Sequence, residues 1–196
     1  GLVVGDGSET YDGLTVQHNL FEDSAAYEDI EVYAAVTNSL FDGNAFNGNA
    51  PTALNIDNGY DVAHGYLPYS SNLTISNNTS TGHGSFAWLS GIQGATLSGN
   101  TVTSTTGDEG GGDVLGLLSG LSIESNTFSS SPAGVQVSSS EGANSGVTVT
   151  GNTFSMDGYG IHVLAGSLAA GSDGSSLDIT KNTFKSSRTA AAAIDE

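Results

Sequence analysis

An all-β solenoid, one chain wound into stacked parallel coils, is the fold class this 196-residue sequence predicts. Three observations predict it. One short phrase, apolar–x–apolar–x–small–Asn–x–apolar, is written seven times. A second alternating segment follows each Asn at a nearly fixed distance. No stretch carries a useful helical stripe, and no apolar run approaches a membrane span.

The copies begin at Leu14, Leu40, Leu73, Ala95, Leu121, Val147 and Leu177, and each closes on an Asn and the two residues after it. Those residues are Asn19, Asn44, Asn78, Asn100, Asn126, Asn152 and Asn182, separated by 25, 34, 22, 26, 26 and 30 positions, the length of one coil. Alternating apolar and polar residues give each copy the period of a half-buried strand. The Asn is expected to end the strand by taking the left-handed bend itself. Its amide is expected to bond the equivalent Asn one rung above and below, a ladder that satisfies every buried amide. Phe21, Phe46, Val102, Phe128, Phe154 and Phe184, two residues past the Asn, are then expected to point inward, the Phe rings forming an aromatic stack.

A second strand follows. Ten residues past the Asn lie Trp88, Gln136, His162 and Ala192, each between apolar or small neighbours; Asn55 fits at eleven and Glu31 at twelve. The neighbours should face the core and the middle residue the solvent, giving an outward column Glu31–Asn55–Trp88–Gln136–His162–Ala192. The coil after Asn100 carries the insertion Gly107 to Asp113, which leaves its register near Leu115 open.

The pattern from Leu14 to Ile194 resembles the right-handed parallel β-helix of the pectin-lyase-like superfamily, of the NosD or β-helix-repeat type. The resemblance implies a single-stranded β-helix of about seven to eight coils, with handedness taken from the family and the usual crossover rule. It says less about activity, since the superfamily holds lyases, hydrolases, epimerases, tailspikes, adhesins and non-catalytic surface proteins. Thr81-Gly-His83-Gly-Ser85 resembles the Gly-His-Gly turn of polygalacturonases, but their Asp-Asp pair and Arg-Ile-Lys signature have no counterpart here. His83 then reads as a turn residue. Lyase chemistry lacks its basic residue, because the only cations are Lys181, Lys185 and Arg188 in the last coil.

Composition fits one elongated domain over residues 1–196, a mature product or a fragment of a longer surface protein. Seven to eight rungs at roughly 4.8 Å make a rod about 35–40 Å long. Twenty-one acidic residues against three basic ones give a net charge of −18. Such a surface has no means of displacing phosphate counterions, which excludes nucleic acid as a partner, and it argues against anionic membranes and membrane insertion. An acidic, Lys-poor surface is common in secreted proteins, so the expected location is extracellular or the cell surface. No cysteine is present, so neither disulfides nor thiolate metal sites arise.

Three constellations carry the functional expectations. The outward column Glu31, Asn55, Trp88, Gln136 and His162 suits an extended glycan, the indole stacking on a sugar and the amides and imidazole bonding hydroxyls. The long third coil, with Asp57, Tyr60, Asp61, His64, Tyr66 and Tyr69, must leave the barrel as a loop, where function often sits. Asp108, Glu109 and Asp113 form an acidic glycine loop that calcium carboxylate chemistry would fit; otherwise no cofactor is implied. The expected role is an extracellular adhesive module with glycan or neighbouring surface-protein subunits as partners. The alternatives are a polysaccharide hydrolase using Asp57, Asp61, His83 and His162, and a purely structural rod in a filament, layer or appendage.

Overall fold

The computed structural model describes residues 1–22, 28–103, 111–129, 133–156, 158–169, 177–186 and 194–195. The first coil holds β1 (Leu2–Val4), β2 (Thr10–Asp12), β3 (Thr15–Gln17) and β4 (Leu20–Glu22); the second holds β5 (Ile30–Val32), β6 (Ala35–Thr37), β7 (Leu40–Asp42) and β8 (Ala45–Asn47). The third runs through β9 (Thr52–Asp57), the short helix α1 (Gly59–Ala63), β10 (Ser70–Ser76) and β11 (Thr79–Thr81). Next come β12 (Ser85–Ser98) with β13 (Thr101–Thr103), and β14 (Gly112–Glu124) with β15 (Thr127–Ser129). The last coils are β16 (Ala133–Gly142), β17 (Val147–Thr150) and β18 (Thr153–Met156), then β19 (Tyr159–Val163), β20 (Leu177–Thr180) and β21 (Thr183–Ser186). β22 (Ile194–Asp195) opens the next turn. Every pairing between these strands is parallel, and the coils wind into a right-handed parallel β-helix.

Each coil has three faces rather than the two strands the sequence pattern suggested. The repeated phrase forms the first face: β3, β7, β10, the later halves of β12 and β14, β17 and β20. The two or three residues after the Asn form a separate second face, the seven-stranded sheet β4-β8-β11-β13-β15-β18-β21. The third face is the column β1-β5-β9-β12-β14-β16-β19-β22. β12 and β14 pass from the third face to the first as continuous strands, so these two faces belong to one 15-stranded sheet.

The bend between the first and second faces is made by the residue before the ladder Asn, not by the Asn. His18, Gly43, Asn77, Gly99, Ser125, Gly151 and Lys181 all have φ between 54° and 66°. The division of labour has a physical cause. The Asn side chain must point inward along the axis to reach its neighbours, so the unusual backbone angle falls to the preceding position. Glycine fills it in three of the seven coils without a Cβ penalty.

The ladder itself is continuous from Asn19 to Asn182. Each Asn donates both its backbone N–H and an Nδ2–H to the Oδ1 of the next coil's Asn, at 2.8–3.0 Å. From Asn44 onward, the other Nδ2–H reaches back to a carbonyl of the preceding coil, Val16, Phe41, Ile75, Leu97, Ile123 or Val149. The interior Asn residues therefore leave no amide group unused, although Asn44, Asn78, Asn100, Asn126 and Asn152 are each about 1 % exposed.

Beside the ladder run apolar columns at one residue per coil. Val16, Phe41, Ile75, Leu97, Ile123, Val149 and Ile179 share one register. Phe128, Phe154 and Phe184 stack on the second face with centroids 5.3 and 5.1 Å apart, as do Phe21 and Phe46 at 5.1 Å. The stack is interrupted where Ser80 occupies the Phe position. His83 and Phe86 fill the space, both edge-on to Phe46.

Two substitutions separate amide satisfaction from backbone angle. Asn126→Ala strips acceptors and donors from Asn100, Leu97 and Asn152 together, and is expected to cost about 3–5 kcal/mol in urea unfolding. At Gly151 an added Cβ meets nothing closer than 3.8 Å, so Gly151→Ala should cost only the left-handed angle, about 1–2 kcal/mol.

Candidate functional site

The third face carries the most varied chemistry. Its register runs Val3, Glu31, Asn55, Trp88, Asp113, Gln136, His162 and Asp195, one residue per coil. The flanking residues Ile30, Val32, Leu54, Ile56, Ala87, Leu89, Val135, Val137, Ile161 and Val163 are buried, while Glu31, Asn55, Trp88, Gln136 and His162 are half-buried and face outward. Two places differ from the sequence-based column. Asp113 holds the position left open near Leu115, and Asp195 rather than Ala192 pairs with His162. Both lie thirteen residues past their ladder Asn (113 − 100 and 195 − 182) instead of ten, because the connection in those coils is longer. Ala192 itself falls outside the described residues, as do Asp108 and Glu109 of the acidic glycine loop.

Contacts along the column are specific. His162 Nδ1 lies 3.2 Å from Gln136 Oε1, and its ring stacks on Tyr159 at 5.0 Å. The Oδ1 of Asn55, next to Trp88 in register, is shielded from water and accepts no hydrogen bond from the described residues. An acceptor left in that state is costly unless a donor arrives.

Downstream of Trp88 the face is bounded by α1, which packs across β12, β14 and β16. A chain of polar contacts straps it down. The Ser90 hydroxyl donates to Asp57, the Gly59 N–H donates to Ser90 Oγ at 2.6 Å, and Asn58 Nδ2 donates to the Ala34 carbonyl at 2.9 Å. Only glycine fits at position 59, since a Cβ there would fall 2.7 Å from Glu141 Cβ. Asp61 sits in the first turn of α1, and its carbonyl closes the loop by accepting the N–H groups of Tyr66 and Leu67. His64 is held by its Nδ1 contact with the Tyr60 carbonyl at 2.8 Å. Its ring lies between Tyr60, with centroids 4.2 Å apart, and Tyr66, at 5.8 Å. Both tyrosines stay 59 % and 66 % exposed, forming an aromatic shelf on the α1 segment, which is tied to β12 through the Gly59–Ser90 hydrogen bond.

Beneath the shelf is a carboxylate that sequence reading missed. Glu141 reaches Gly59 from β16, and burial first, then the charge of Asp57, pushes its carboxyl above the usual glutamate range; His64 acts in the opposite direction. Asp57 and Glu141 are 84 positions apart (141 − 57), in coils stacked through β12 and β14, so no local motif announced the pair.

His83 lies elsewhere. It is fully buried in the connection between β11 and β12, with Nε2 2.8 Å from Asp29 Oδ2 and Nδ1 3.3 Å from Ser80 Oγ. Chemically the three residues are a serine, a histidine and an aspartate, but all three are within 1 % of complete burial and no substrate reaches them. Their work is to fill the core where the Phe stack is interrupted.

These features define a right-handed parallel β-helix whose third face combines an outward polar column with an aromatic shelf. The chain belongs to the family described as periplasmic copper-binding protein (NosD), whose sequence model matches residues 60–195. No curated protein matches the chain. Among the described residues, no helix is long and apolar enough to cross a membrane.

The family description raises copper, and the donor set can be tested against it. Copper sites draw on thiolate, thioether and imidazole ligands. This chain has no cysteine, and its four histidines stand apart: His18 at the ladder corner, His64 on the shelf, His83 inside the core and His162 on the third face. Among the described residues no three His, Asp or Glu side chains converge on a common point. The described histidines and carboxylates do not assemble a copper centre.

The raised Glu141 carboxyl has a pH consequence. Its contribution to stability is present below the usual glutamate value and is lost as pH rises through the raised one. Glu141→Gln is therefore expected to raise the melting temperature at pH 7, with the gain vanishing as pH falls below the usual glutamate range. A melting series from pH 3 to 8 on both proteins checks this.

Proposed function

We propose that this chain is a carbohydrate-binding β-helix acting outside the cytoplasm, in the periplasm or at the cell surface, and that it holds an extended, uncharged glycan along the third face. The observation that carries the reading is the juxtaposition of an in-register polar column with the exposed Tyr60–His64–Tyr66 shelf. A rung spacing of roughly 4.8 Å gives successive sugars equivalent surroundings. Trp88 and the tyrosines offer ring faces to sugar C–H surfaces, and Glu31, Asn55, Gln136 and His162 offer hydrogen bonds to hydroxyls. A net charge of −18 disfavours polyuronates, so neutral polysaccharides are the expected class. The family's periplasmic description supports the location.

A hydrolytic reading draws on a different observation, the Asp57–Glu141 pair under the shelf. A carboxyl whose proton is held by burial and a neighbouring carboxylate is the arrangement glycoside hydrolysis employs. The two readings separate in one experiment. Affinity electrophoresis against a panel of neutral polysaccharides should show retardation that Trp88→Ala and Tyr60→Ala each weaken about tenfold, corresponding to ~1.4 kcal/mol for a lost stacking ring. Assay of the same mixtures for new reducing ends then decides between the readings. Reducing ends that disappear in Glu141→Gln would establish the hydrolase, and binding without cleavage the adhesive module. No retardation by any polysaccharide would remove both.

A further inference from the structure

Three Asn-x-Ser/Thr tripeptides, the acceptor pattern for N-linked glycans, stand in the chain. All fall in one stretch of the third coil: Asn72-Leu73-Thr74, Asn77-Asn78-Thr79 and Asn78-Thr79-Ser80. The pattern by itself does not choose among asparagines so close together. Two independent properties of the fold do.

The first is exposure. Asn72 and Asn77 stand in solvent at the two corners that bound the first face, each with a left-handed backbone, φ 53° and 54°. Asparagine takes that angle more readily than most residues that carry a side chain, so corner and acceptor coincide. In the neighbouring coils the same corners are Asn38 with Gly43 and Gly94 with Gly99, and Asn38 lacks the hydroxyl two residues on. The hydroxyl partners in the third coil are turned outward as well. Thr79 is exposed on the second face, and Thr74 is half-buried between the covered Leu73 and Ile75 of the first. Asn78, by contrast, is 1 % exposed inside the ladder.

The second property is the number of amide hydrogens in use. An Asn side chain has two N–H bonds, and N-glycosylation replaces one of them with a bond to sugar. Asn78 uses both, donating to Asn100 Oδ1 at 2.9 Å and to the Phe41 carbonyl at 3.0 Å. A sugar there breaks the ladder. Asn72 donates once, to Asn38 Oδ1 at 2.6 Å, and Asn77 once, to Asp42 Oδ1 at 2.8 Å. Among the described residues the second hydrogen of each has no acceptor. A sugar can therefore replace it while the contact with the preceding coil is kept.

We propose that Asn72 and Asn77 are N-glycosylation sites and that Asn78 is not, the donor being an oligosaccharide carried on a lipid phosphate. In the transfer the amide nitrogen bonds to the anomeric carbon of the first sugar, and the bond from that carbon to the phosphate oxygen breaks. The lipid phosphate leaves with the electron pair, and the amide gives one proton to solvent. The modification draws on the location outside the cytoplasm proposed above and not on glycan binding by the third face.

The test uses membranes that hold an oligosaccharyltransferase with its lipid-linked oligosaccharide and that glycosylate a free peptide of residues 70–82. The folded 196-residue chain is incubated with them, and the product is read by intact mass and peptide mapping. A gain of two glycans is expected, mapped to Asn72 and Asn77. Thr74→Ala should remove the first and Thr79→Ala the second, whereas Thr74→Ser and Thr79→Ser should keep both. Ser80→Ala, which destroys only the Asn78 tripeptide, should change nothing. Melting temperatures above the assay temperature establish that every variant is folded. A chain left unmodified by membranes that modify the peptide overturns the proposal, and transfer to one asparagine alone removes the other site. Sugar found on Asn78 refutes the selection by exposure and amide hydrogens.

Discussion

The amide-to-amide hydrogen bond between asparagines of successive coils is the constraint on which the rest of this molecule depends. A buried amide has two donors and an acceptor to satisfy, and the interior of a narrow β-helix offers no water to do it. Stacking identical residues at one per coil solves the problem for all of them at once. The solution also fixes register. If one coil slipped by a residue, its Asn would lose both neighbours, and every apolar side chain of that coil would turn to solvent. The ladder therefore holds the second face against the first, and the Phe stack and aliphatic columns follow from it.

A frame so constrained can tolerate irregularity elsewhere. The coil lengths vary by as much as twelve residues (34 − 22), yet the ladder continues without a break. The extra length leaves the frame at the third coil, where α1 and the loop after it fold back over β12, β14 and β16. There the rigid face positions Trp88, Gln136 and His162, and the added loop brings Tyr60, His64 and Tyr66 beside them. At the third coil the variation lies away from the ladder, the usual division between a scaffold and the loops it carries.

Membership of the family described as periplasmic copper-binding protein (NosD) rests on a sequence match over residues 60–195, most of the coils of the scaffold. The chemistry on the surface is a separate matter, decided by a few side chains. Here those side chains are amides, carboxylates, tyrosines and one indole, with the four imidazoles dispersed among a corner, a shelf, the core and a face.

By itself the sequence determined the solenoid, the ladder positions, the inward columns and most of the outward one, because each depends on a residue recurring at one place per coil. Val135 and Val137 declare their burial by flanking Gln136, and Asn126 declares its role by standing where six other asparagines stand. What the tertiary structure alone decided is everything that depends on distance between coils or on which of two adjacent residues bends the backbone. The left-handed angle fell to His18, Ser125 and Lys181 because their Asn neighbours were already committed to the axis. Asp195 took the place expected for Ala192 because a longer connection carried the chain past it. Glu141 came to Asp57, and His83 went to Asp29 in the core, through the folding of loops whose length a repeat pattern records but whose direction it does not. Periodicity encodes what recurs, and a site assembled once, from residues 84 positions apart, leaves no period to read.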